Sequence, residues 1–337
     1  IEGVLQEKID MIFNHTETQR LVDLGYDNNE IRFCNELKLS IEYLLKKMPN
    51  NGTCQRNRRD IQAAINFVYE KGIQFIRVFI PDWKIFLLCL WTREEWYKTV
   101  TEYGAFLFKV LPDTHASWMG NISDPTGAIE SPLYNHFLNV YLGYRILFNK
   151  NIYLPDVEMK NKIMYPNYKT IYRAQRSHRN YQAEANWTGT AGGAYVSHSP
   201  MSWSSSIDQA MEFLRGDPDA CILVSNQVEF GRCINDFNLF GEIEHLVVGG
   251  LIYKIKLEFM WNEDREAQHW SDFVTVAADG SQEKEEILLE NSPHYPGNPI
   301  RLMYIEFEKY LDELEDTHDM RGGSGKKYKN KKSLYSK

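Results

Sequence analysis

Three short stretches in the second half of this chain carry side chains suited to chemistry, in the order Arg, Ser-x-Ser, Glu-x-Glu. In TIYRAQR, Arg173 falls on or just after a run with strand character. Such an arginine by itself is most often a surface residue in an ion pair. In MSWSSSIDQAMEF, Ser202 and Ser204 stand two apart, which puts both on one face of a strand. The helical run that follows turns Ala210 and Phe213 inward, and serines in front of a helix also serve as caps. In FGEIEHLVVGG, Glu242 and Glu244 open a strand with Ile243 between them, and alternation places both carboxylates on one side. Two like charges this close are costly when buried, so the ordinary outcome is a solvated edge strand. The same arrangement is how a site acquires a general base beside a charge stabiliser.

The elements that must position these residues are short strands. After Tyr153 the runs KTIYRAQ, AYVSHS, ACILVSNQV, EHLVVG and LIYKIKLEF are β-prone and separated by Gly, Asn, Asp and Ser turns. One helix is expected among them, SSIDQAMEFLRG, with serine in front and Gly216 behind. The first 150 residues follow another period. In IDMIFNHTETQRLVDLG, DNNEIRFCNELKLSIEYLLKKM and RRDIQAAINFVYEKGIQFI, apolar residues recur three and four apart, with Asn and Asp as caps. SPLYNHFLNVYLGYRILFNK adds a helix that Ser131 can cap and that Pro132 suits in its first turn. The expected division is a helical lobe over 1–154, a strand-rich domain over 155–320 and a disordered basic tail over 321–337, where Gly, Ser and a Lys run keep the chain extended.

Composition narrows the function classes. With 337 residues, 43% of them hydrophobic, the chain can bury a large core and fill two domains. The net charge of −8 argues against a surface that coats nucleic acid, which needs clustered Lys and Arg. The richest apolar run, Ile85 to Trp91, is too short for a membrane span. Five cysteines without a CxxC pair suit neither a disulfide framework nor a zinc site, and nine histidines show no HExxH, so no metal is expected. Sequons at Asn14, Asn51, Asn121 and Asn186 carry little weight in an Asn-rich chain. There is no GxGxxG after a strand and no P-loop; TGTAGGAY reads as a flexible loop.

Taken together, the aromatic-Arg pair in IYRAQ, the Ser-x-Ser strand with its following Ala and Phe, and the Glu-x-Glu strand with its apolar continuation resemble the Arg-Ser-Glu mono-ADP-ribosyltransferases, the family of cholera toxin and many bacterial effectors. The likeness covers roughly 160–260. The family's serine motif usually reads Ser-Thr-Ser; here Trp203 stands at its centre, and Ser204 to Ser206 offers a second frame. The resemblance implies a domain of two packed β-sheets with NAD in a central cleft; with the helical N-terminal lobe read from its period, the expected fold is α+β.

It also implies roles. Arg173, with Tyr172 beside it, would hold the phosphates of NAD, for which a planar guanidinium is suited. Glu244 would stabilise the oxocarbenium-like ribose formed as nicotinamide leaves. Ser202 and Ser204 would hold that carboxylate and line the nicotinamide pocket, and Trp203, Tyr195 and Phe230 are aromatic candidates to pack against the nicotinamide or adenine, with a place in the core or wall as the ordinary alternative. Glu242, two positions before the catalytic glutamate, goes with an arginine acceptor, because a guanidinium is a poor nucleophile until a carboxylate shares its proton. The expected partner is therefore a protein presenting arginine, and the expected setting a secreted bacterial effector or toxin working in a host cytosol. The loop from Phe230 to Gly241 would meet that protein and stay mobile until it binds. An NAD glycohydrolase and an inactive binding module on the same fold are the competing readings.

Overall fold

The computed structural model describes residues 3–14, 28–50, 52–72, 82–107, 132–147, 170–175, 185–187, 194–197, 199–214, 220–235, 241–261 and 300–310. The expected domain boundary near 155 and the basic tail lie outside them, as do 188–193 of TGTAGGAY and 236–240 of the loop before Glu242.

Helices come first: α1 (Gly3–Ile12), α2 (Asn28–Lys47), α3 (Gly52–Phe67) running into a π turn at Val68–Gly72, α4 (Asp82–Trp91), α5 (Glu94–Leu107) and α6 (Pro132–Ile146). Three of the four runs with helical period fall on α2, α3 and α6, and α6 opens on Pro132, where a missing N–H costs nothing. The first run overlaps the end of α1, which spans Gly3–Ile12, and its remainder from 15 on lies outside the described residues. Helix α4 escaped the periodicity argument. Its sequence DWKIFLLCLW has no polar face, because every residue from Trp83 to Trp91 is buried. A helix packed on all sides, here with Lys84 the one charged side chain among those nine buried residues, has no apolar stripe to detect.

The strands follow: β1 (Ile171–Gln175), β2 (Ala185–Trp187), β3 (Ala194–Ser197), β4 (Met201–Trp203), then helix α7 (Ile207–Glu212), β5 (Cys221–Ser225), a 3₁₀ turn at Val228–Phe230, β6 (Gly231–Cys233), β7 (His245–Val247), β8 (Leu251–Trp261) and β9 (Ile300–Tyr310). They form a six-stranded sheet in the order β1-β5-β9-β8-β3-β2 and a three-stranded sheet in the order β4-β7-β6. All pairings are antiparallel except β5 with β9. The chain is thus α+β, helices before two sheets. Strand β9, which completes the middle of the larger sheet, was not read from sequence; its half with Glu306, Glu308 and Lys309 fits a helical spacing as well as an extended one.

Three apolar layers hold this together. One fills the space between the sheets, with Met201, Trp203 and Val247 from the smaller against Ile171, Leu223, Tyr253, Met303 and Ile305 from the larger. A second packs Ile207, Ala210, Met211 and Leu214 on the outer face of the larger sheet, over Tyr172, Ile222, Val224, Leu302 and Tyr304. Phe213, expected to face inward, is exposed: α7 ends at Glu212, and Leu214 takes the buried place. The third layer is the core of the helical bundle, and it takes in Ile234 and Leu246 beside β6 and on β7. The three-stranded sheet therefore lies between the bundle and the larger sheet. Close backbone approach fixes this stacking at two glycines. A Cβ on Gly104 of α5 would come within 1.9 Å of Ser199 Oγ, and one on Gly249 within 2.5 Å of the Ser199 carbonyl carbon.

Candidate active site

Strand β1 carries Arg173 on the same side as Ile171, toward the smaller sheet, while Tyr172 turns outward under α7. The half-buried guanidinium reaches across to β4, where Nη1 donates to the carbonyl of Ser202 at 2.7 Å. Just beyond, Tyr172 and Ser204 exchange both backbone hydrogen bonds, at 2.7 and 2.8 Å, an isolated bridge that ties β1 to the end of β4.

Alternation along β4 sends Met201 and Trp203 into the layer between the sheets and Ser202 to the opposite face. In register across β4 and β7, Ser202 stands opposite Leu246, which belongs to the bundle core. The Ser202 hydroxyl donates a hydrogen bond to Glu244 Oε1 and accepts one from the indole Nε1 of Trp91 at 2.9 Å. Glu244 is 7% exposed.

The segment that presents the two glutamates is not yet a strand; β7 begins at His245. Its backbone N–H groups are met by side-chain amides instead. Ile243 N donates to Gln209 Oε1 at 2.8 Å and Glu244 N to Asn235 Oδ1 at 2.8 Å, while Ile234 N donates to the Glu244 carbonyl at 2.9 Å. Gly241 enters the segment at φ 69°, a left-handed conformation that a side chain would resist. The two carboxylates consequently have different surroundings. Glu242 is half-exposed and its neighbour Ile243 is 43% exposed, whereas Glu244 is buried.

Below this, His245 is fully buried with Nε2 at 3.0 Å from the Val228 carbonyl, so that nitrogen carries the proton. Burial pushes its pKa down to about 4, with the Arg232 charge adding to the fall against the opposing hydrogen bond.

The structure thus brings Arg173, Ser202 and Glu244 into one connected set. Ser204 plays another part: its hydroxyl accepts from Ser206 N at 3.0 Å and donates to Gln209 Oε1 at 3.4 Å, organising the start of α7. Ser206 is the cap, accepting from Gln209 N. Tyr172, Trp203 and Tyr195 are buried in the apolar layers, and Phe230 packs on Phe307 at 4.6 Å. The Ser202 and Glu244 side chains meet on the face of the smaller sheet that turns toward the bundle, whereas Arg173 reaches the Ser202 carbonyl from the side of the larger sheet. Sequence reasoning missed Trp91, Gln209 and Asn235. Trp91 lies 111 residues from its partner inside a run without period, so no local pattern could have named it. Among the described residues no three His, Cys, Asp or Glu side chains gather as metal ligands, and no helix is long and apolar enough to cross a membrane.

No protein-family model, curated protein or solved structure matches the chain.

Proposed function

We propose that this chain is an NAD-dependent mono-ADP-ribosyltransferase that moves ADP-ribose to an arginine side chain of another protein. The observation that carries the reading is the meeting of Arg173, Ser202 and Glu244. They come from separate stretches, 29 and 42 residues apart, and are joined through the Ser202 carbonyl on one side and the Ser202 hydroxyl on the other. The family that the three motifs resemble uses this order of residues for this chemistry.

In the proposed reaction the bond between nicotinamide and ribose breaks, and nicotinamide leaves with the bonding pair. The ribose becomes cation-like, and a carboxylate held without rotational freedom stabilises it without reorganising during the step. Glu244, held by Ser202 and by the hydrogen bonds its backbone makes with Asn235 and Ile234, takes that role. A guanidinium nitrogen then forms the new bond to the anomeric carbon, and Glu242, half-exposed where an acceptor can reach it, takes the proton released. The Arg173 guanidinium supplies positive charge for the pyrophosphate. The proposed setting remains that of a secreted bacterial effector or toxin acting on a host protein.

The test is incubation of the protein with labelled NAD and a cell lysate, beside Glu244→Ala. Label on a discrete protein, absent with the variant and removed by an arginine-specific hydrolase, supports the reading. Free nicotinamide and ADP-ribose without labelled protein would replace it with an NAD glycohydrolase. Intact NAD with the wild-type chain in every lysate would overturn both.

A further inference from the structure

We propose that Trp91, from the helical bundle, is a positioning residue for the catalytic pair: its indole commits the hydroxyl proton of Ser202 to Glu244. This rests on the reading of Glu244 given above. An indole Nε1–H is a donor and never an acceptor, whereas a serine hydroxyl has one proton and two lone pairs. With Trp91 Nε1 at 2.9 Å, Ser202 Oγ must accept there, so its single proton is left for the carboxylate. Without the indole the hydroxyl rotor could turn to other acceptors, and Glu244 Oε1 would lose its fixed donor for part of the time.

The bundle is built to hold that ring still. Trp91 is 2% exposed at the C-terminal end of α4, whose residues from Trp83 on are all buried. Its ring meets Tyr144 edge-on at 5.4 Å and Tyr97 at 6.2 Å. Tyr144 is itself pinned, donating to the Leu87 carbonyl at 2.9 Å and accepting from Trp96 Nε1 at 3.1 Å. Three residues before Ser202, the buried Ser199 hydroxyl lies 3.3 to 3.4 Å from the Thr101 and Val100 carbonyls of α5, so the turn into β4 is tied to the same bundle. The helical lobe therefore completes the site through one donor, besides supporting it.

Trp91→Phe removes that donor and keeps an aromatic ring. With agmatine as a small guanidine acceptor, nicotinamide release by Trp91→Phe is expected to show kcat down roughly tenfold, the value of about one hydrogen bond, with KM for NAD little changed. In a Ser202→Ala background the same substitution is expected to change kcat less than about twofold, because the relay is already cut. Equal fold-losses in the two backgrounds would assign Trp91 to packing and overturn the proposal. A second readout does not depend on turnover. The Trp91 indole ¹H–¹⁵N resonance, identified by its absence from Trp91→Phe or, should that variant not fold, from Trp91→Tyr, is expected to move in Ser202→Ala and in Glu244→Gln. A resonance unmoved by Ser202→Ala would overturn the proposal. A wild-type chain that releases no nicotinamide would sink the transferase reading, while the indole resonance still decides whether Trp91 sets the Ser202 hydroxyl.

Discussion

Glu242 and Glu244 show how two identical side chains two positions apart acquire different work. Strand alternation was expected to place both on one side, but the strand starts only at His245, and the two differ in burial. Glu244→Gln is expected to lower nicotinamide release by at least about 100-fold, the scale of losing an electrostatic stabiliser of a charged transition state. Glu242→Gln is expected to suppress transfer to agmatine while leaving NAD hydrolysis measurable; product analysis by chromatography separates the two. His245, one position on, makes a stability prediction. Its folded pKa is depressed to about 4 from the ordinary 6.5. Unfolding between those values takes up a proton, so its contribution is complete above about pH 6.5 and is lost as pH falls toward about 4. The loss reaches roughly 3 kcal/mol. Urea titrations at pH 7 and pH 5 should show a smaller difference for His245→Gln than for the wild-type chain, since the carboxylates are common to both.

Among the elements, α7 and α5 do the positioning. The serine cluster before α7 was legible as a cap, and Ser206 is that cap, yet the same cluster also supplies Ser202 to the site and Ser204 to the turn. Which serine does what depended on where β4 ends and the chain bends, and that follows from the bridge between Tyr172 and Ser204. Gln209, on the first turn of α7, reaches the backbone of Ile243 and so couples this helix to the segment carrying both glutamates. Helix α5 approaches the turn before β4 closely enough that Gly104 has no room for a methyl group. Gly104→Ala is expected to cost about 1 to 3 kcal/mol in chemical denaturation, the range for overpacking. Ser199→Ala in the same chain should return part of that loss, because the nearest clashing atom is the Ser199 hydroxyl. Losses that simply add would contradict this account of the contact.

At the scale of the whole molecule, the bundle and the smaller sheet share one apolar core through Ile234 and Leu246. Leu246→Ala, at a fully buried position, is expected to lower stability by about 2 to 5 kcal/mol, and tryptophan fluorescence and far-UV circular dichroism should move together to a lower denaturant midpoint. A shift in one signal without the other would show that the two regions unfold apart. The sequence by itself determined the class of the fold, helices then strands, because three- and four-residue spacing and β-branched runs between turn residues are local properties. It also marked Arg173, Ser202 and Glu244, because their residue types and order are visible in one dimension. It missed α4 and β9, whose burial on all sides or mixed charge leaves no clear period, and it also left unread α5, β2 and β6, the last inside the stretch expected to be a mobile loop. Only the tertiary structure decided that the three meet, that Glu244 is buried while Glu242 is half-exposed, and that Ser202 and Glu244 face the bundle. Those outcomes depend on strand register and on layers packing across more than a hundred residues, as between Trp91 and Ser202, where no sequence spacing carries the information.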